Sequence, residues 1–139
     1  MVAYAPGMDP AAEQADRVVR LAVDLVNLRA RLPARTPLDA GTLRRFLAEH
    51  DEPTPVRLGP ADAAAIAAVE VELRAVFDAA AVDEAAALVN GLLLRAGSRP
   101  RLSNHHGTPW HLHVTDEDAP WAEWLAATTG LGLARMLAE

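Results

Sequence analysis

Ser103-Asn104-His105-His106-Gly107-Thr108-Pro109-Trp110-His111-Leu112-His113-Val114 is the stretch on which the fold turns. His106-Gly107 is turn chemistry, because glycine reaches the positive φ that tight reversals demand. Trp110, Leu112 and Val114 then alternate with His111, His113 and Thr115. Period two marks a strand with one covered face, so an antiparallel β-hairpin is expected over about residues 100–115. Successive side chains leave a strand on opposite faces. Trp110, Leu112 and Val114 are therefore expected to pack inward, with His111 and His113 together on the other face. Four of the five histidines fall in this stretch, which concentrates polar chemistry there.

Outside it the apolar period is that of helices. A helix over 11–32 carries Arg17, Arg20, Asp24, Asn27 and Arg31 on one narrow stripe. Valines and leucines cover most of its remaining surface, which predicts a central position. Pro33 and Pro37 close it. Asp39 is placed to cap a short helix running to about His50, with Leu43, Phe46 and Leu47 inward. After a proline-containing loop, Gly59-Pro60 opens a third helix. Its buried stripe is Ile66, Val69, Leu73, Val76 and Phe77, with a Glu70–Arg74 pair outside. A fourth helix covers about 82–96 and ends at Gly97. Asp118 is expected to cap the last helix, in which Gly130 and Gly132 mark weakness, a break or close packing. The fold class is thus α+β, mainly α: a helical bundle carrying one antiparallel hairpin. Residues 1–10 are expected to form an extended arm, and 11–139 a single domain.

Composition agrees. Hydrophobic residues are 51% of 139 but aromatics only 4%, so the core is built from Ala, Leu and Val, which favours helices. The net charge is −6, and every one of the thirteen basic residues is arginine. Residues 61–139 hold five Arg against eleven Asp and Glu. No dense basic patch exists to grip phosphates, so direct nucleic-acid binding by this chain is not expected. The absence of cysteine removes disulfides, thiolate ligands and a cysteine nucleophile. With neither a secretion signal nor a bilayer-length apolar run, the chain reads as cytoplasmic, without membrane contact.

Two residue groups invite a site. His111 and His113, two apart on one strand, could share a metal ion with His105 or His106 across the hairpin. They could equally hydrogen-bond locally under a neighbouring helix. Arg20, Asp24 and Asn27 share one helix face and could line a polar pocket for a small ligand. The other reading of these three is a structural Arg–Asp tie. Arg20, Asp24, Asn27, His111 and His113 are the candidate ligand-binding residues; no metal site is assigned. No nucleophile elbow, triad signature or phosphate-cradling glycine loop is present, so a non-enzymatic role without cofactor is expected. The tryptophans Trp110, Trp121 and Trp124 read as core anchors, the last two clamping the hairpin.

The order of short motifs resembles one family. Tyr4-Ala5-Pro6-Gly7, Leu25-Val26-Asn27, Leu43-Arg44-Arg45-Phe46-Leu47, Leu73-Arg74-Ala75-Val76-Phe77 and Leu88-Val89-Asn90-Gly91-Leu92 precede the histidine hairpin. This succession is similar to the N-terminal ABATE domain of the CGNR zinc-finger proteins, and it spans residues 4–139. The hairpin is its most specific part. The resemblance implies a regulatory or sensor domain of a stress-response transcription regulator. DNA contact in that family falls to a C-terminal zinc ribbon containing Cys-Gly-Asn-Arg. The chain ends at Ala138-Glu139, where that ribbon begins in the family, so the ribbon's zinc site maps onto no residue here. Leu28 also stands where the family typically has Thr. The partners so implied are a small-molecule effector, the ribbon of a full-length protein, and a second copy in a homodimer. The alternative is a stand-alone small-ligand or metal-binding protein that uses the histidine hairpin.

Overall fold

The computed structural model describes residues 10–97, 100–104, 109–116 and 118–139, without the side chains of 10–15 and 111. Five helices and one hairpin follow in order: α1 (Pro10–Arg31), α2 (Ala40–Glu49), α3 (Pro60–Asp78), α4 (Val82–Ala96), β1 (Arg101–Ser103), β2 (His111–His113) and α5 (Trp121–Leu137). The expected extended arm lies outside the described residues, except that Pro10 already begins α1.

Local chemistry sets most boundaries. Asp39 caps α2, its Oδ1 accepting from the Thr42 amide at 2.7 Å. That hydrogen bond, joined by one from the Thr42 side chain, holds the Asp39 carboxyl below its ordinary pKa. Pro60 stands at the first position of α3, and Asp62 Oδ2 accepts from the Gly59 amide at 3.0 Å. Gly97 ends α4 in the left-handed region, φ 56°. The start of α5 corrects the expected cap. Ala119 N donates to Asp116 O, and extended Pro120 occupies the cap position instead of Asp118.

The central helix is α5, not α1. Leu125, Ala126, Ala127, Thr129, Gly130, Gly132 and Leu133 of α5 are all buried, and the helix packs against α4, α1 and α3. Helix α1 buries Leu21, Ala22 and Leu25, while Val23 reaches solvent. Its wide apolar surface is only partly used, because one neighbour, α5, takes most of the contact. The two glycines explain why α5 can be shared. A Cβ on Gly130 would press on Leu93 of α4 at 3.1 Å, and one on Gly132 would overlap Val18 of α1. Of the three readings of these glycines, close packing is the one observed. Thr129, also buried, returns its hydroxyl to Leu125 O at 2.6 Å.

The hairpin forms where expected, but its facing is reversed. Arg101 pairs with His113, Leu102 with Leu112 and Ser103 with His111. Leu102 and Leu112 share the outer face, 67% and 38% exposed, and Trp110 is 62% exposed. His113 is half-buried, and Val114 and Thr115 are buried in succession. Alternation therefore ends at His113. The rule that apolar residues face inward assumes a packed floor, whereas this strand lies over an open cleft walled by both polar and apolar side chains. Arg101 Nη1 donates to Thr115 O at 2.5 Å and fixes the base of the hairpin. Trp110 is no core anchor. Trp121 and Trp124 meet edge to face at 5.4 Å, and Trp121 Nε1 donates to Arg57 O, so they brace the loop before α3.

Helix α3 holds a second departure. Glu70 and Arg74 pair at 3.2 Å, but Glu70 is 1% exposed and sits inside, while Phe77 turns outward. Glu70 Oε2 has no hydrogen-bond partner among the described residues. Burial pushes the Glu70 carboxyl above its ordinary pKa, against the opposing pull of Arg74 and Arg29.

Two predictions follow from packing and burial. Gly132→Ala lowers stability by roughly 1–3 kcal/mol through overpacking against Val18. Gly91→Ala, with open space at its Cβ, raises it by roughly 0.5–1 kcal/mol. Urea unfolding of both variants measures the contrast. A carboxyl with a raised folded-state pKa favours folding below its unfolded pKa and loses that contribution as pH climbs through the folded value. Glu70→Gln, which keeps an acceptor for Arg74, is therefore more stable than wild type at about pH 8. The advantage shrinks towards about pH 4, as melting temperatures across that range will read.

Candidate functional site

The hollow beneath β2 is the candidate site. It is a cleft of about 200 Å³ walled by α1, the end of α2, the strand β2 with the residues after it, and α5. Arg17, Val18 and Leu21 come from α1; Trp124, Thr128, Leu131 and Arg135 come from α5. A broader hollow of about 530 Å³ lies alongside, beneath the loop that precedes α3. Glu52, His113, Thr115 and Trp124 line both and form the partition between them.

The end of α2 is built to present two of these groups. Asp51 adopts the left-handed region, φ 67°. Asp51 N donates to Ala48 O at 3.3 Å and Glu52 N to Leu47 O at 3.1 Å. These are the two bonds of a Schellman termination, with a short acidic residue where glycine is usual. The chain thereby reverses and delivers Glu52 to the cleft. Burial pushes the Glu52 carboxyl above its ordinary pKa, and the charge of Asp51 adds to the effect.

His50 occupies the cap position of the same helix. Its Nδ1 lies 2.9 Å from Phe46 O and its Nε2 2.9 Å from Asp24 Oδ2. A carbonyl oxygen only accepts, so Nδ1 donates to Phe46 O while Nε2 faces the Asp24 carboxyl. The ring also packs on Phe46, centroids 4.3 Å apart. Asp24 thus holds His50 across 26 residues of sequence and joins α1 to α2.

The residues singled out from the sequence are only partly assembled. Asp24 reaches the cleft through His50, whereas Arg20 and Asn27 are exposed. Among the described residues, the Asp24 ion pair is made with His50 and not with Arg20, which corrects the expected Arg–Asp tie. His113 lines both hollows. His111 stands opposite Ser103 in the ladder, but its side chain lies outside the described residues, as do His105 and His106. Among the described residues, no group of three or more His, Asp or Glu is arranged to hold a metal ion. Arg17, His50, Glu52 and Arg135 were not singled out as a site. Arg17 was legible only as part of a stripe, and His50 only as the one histidine away from the hairpin.

The Asp24–His50 tie is measurable. The side chains are 42% and 21% exposed, so solvent screening limits the bond to on the order of 1 kcal/mol. A double-mutant cycle of Asp24→Ala and His50→Ala gives that coupling in urea unfolding. The matching cycle of Asp24→Ala with Arg20→Ala gives a coupling near zero.

No helix among the described residues is long and apolar enough to cross a membrane. No curated protein matches the sequence. The profile of one family, described as "Putative stress-induced transcription regulator", matches residues 19–139, a span that includes the cleft residues from Leu21 onward but not Arg17 and Val18. The chain belongs to the ABATE family.

Proposed function

We propose that this chain is the effector-sensing domain of a CGNR-type, stress-response transcription regulator, acting in the cytoplasm. It catalyses no reaction, and DNA contact is delegated to the zinc ribbon of the full-length protein. The cleft is the observation that carries the reading: four elements distant in sequence meet around one hollow with polar groups fixed in its wall. A small molecule seated there touches α1, α2, the hairpin and α5 together, so its binding energy bears on their mutual arrangement. Charge supports the division of labour. A chain of net charge −6 is poorly suited to phosphate contact, and the acidic balance of residues 61–139 suits docking against a basic ribbon. The histidine hairpin enters this reading through His113, which faces the cleft.

Thermal-shift titration with fractions of a cell extract, followed by native mass spectrometry, tests the proposal. At least one fraction raises the melting temperature of the wild type and yields a complex with a small molecule. A ligand at 100 times its Kd stabilises by about 2.7 kcal/mol. Thr128→Phe, which fills the cleft from α5, abolishes both effects. Equal responses from wild type and Thr128→Phe would remove the cleft from the proposal.

A further inference from the structure

The charges around the cleft are not those of the chain as a whole. Acidic residues outnumber arginines nineteen to thirteen, yet the cleft is lined by Arg17, Arg135, His50 and His113 against one carboxyl, Glu52. His50 Nε2 is held by Asp24 at 2.9 Å. Burial and Asp51 disfavour the ionised form of Glu52. Arg17 and Arg135 remain. Among the described residues neither has an ion-pair partner, although Glu and Asp are abundant elsewhere on the chain. The two come from different helices, α1 and α5, and border the same hollow. Between them and the partition the walls are apolar: Val18, Leu21, Leu131 and the Trp124 ring.

We propose that the cleft selects an organic acid: one carboxylate bound by Arg17 and Arg135, with an apolar body lying along Leu21, Leu131 and Trp124. Guanidinium groups present parallel N–H donors that match the two oxygens of a carboxylate. In a partly enclosed hollow such a charge-assisted contact is stronger than in open water. The apolar walls reward a hydrocarbon body, and so disfavour a free inorganic anion. This proposal rests on the effector-sensing reading and narrows it to one ligand class.

The probes are benzoate, benzamide, benzylammonium and inorganic phosphate, titrated into the 139-residue protein up to millimolar concentrations. Amide chemical shifts of Thr128 and Gly132 report occupancy of the cleft. Benzoate binds at least tenfold more tightly than benzamide, and phosphate does not compete with it. Arg17→Gln combined with Arg135→Gln brings benzoate to the affinity of benzamide. Both side chains are exposed, so the fold is retained, as unchanged circular dichroism confirms. Arg17→Glu moves the preference towards benzylammonium. Benzamide binding as well as benzoate, or a benzoate preference that survives both substitutions, overturns the organic-acid proposal and leaves the effector cleft standing. Phosphate displacing benzoate replaces it with a phosphate site. If none of the four probes moves the Thr128 and Gly132 amides, the organic-acid proposal falls, and the effector reading is decided separately by the extract titration with Thr128→Phe.

Discussion

The contact between Gly132 and Val18 is the constraint on which the arrangement depends. An α-helix with side chains is about 10–12 Å across, and two helices approach more closely only where one lacks a side chain. Helix α5 has such positions on two sides: Gly132 towards α1 and Gly130 towards α4. A single helix can therefore be buried between three others in a chain of 139 residues. Leu125 and Leu133 fill the space around these contacts, and both are almost fully buried. With α5 held in this way, the walls of the cleft are set before any polar side chain is placed.

The polar groups are then positioned by terminations rather than by helix interiors. Schellman closure of α2 orients His50 and Glu52, and the Arg101 bond to Thr115 O orients His113. Loop and cap residues carry the chemistry, while the helices supply a rigid frame. Glu70 marks the opposite design, a carboxyl inside α3 with one oxygen unsatisfied. It lines a separate hollow with Arg29 and Arg74 and lies apart from the cleft.

The frame was largely legible in the sequence. Asp39, Gly59-Pro60 and Gly97 each announce a boundary through local chemistry, and the hairpin announces itself by a change of period. What was illegible depends on distant partners. Alternation fixes two faces for Leu112 and His113 but cannot say which is inward when the floor is an open cleft. The stripe of Asp24 places it near Arg20 along the helix, yet its partner is His50, on another helix. Gly132 reads as a helix weakness until Val18 is seen against it. The cleft itself is made by four segments that share no local signal, so no single window of sequence contains it.

The tight contact has a mechanical consequence. Val18 and Gly132 line the cleft as well as touching each other, so one end of the hollow is bounded by a helix crossing packed without an intervening side chain. Helices already in contact across a missing side chain cannot be pressed nearer, and parting them forfeits the packing that holds α1. Compliance lies at the other end, where the wall is a three-residue strand and the loop before α3. The cleft therefore behaves as a cantilever, clamped at the α1–α5 crossing and free to deflect at the hairpin.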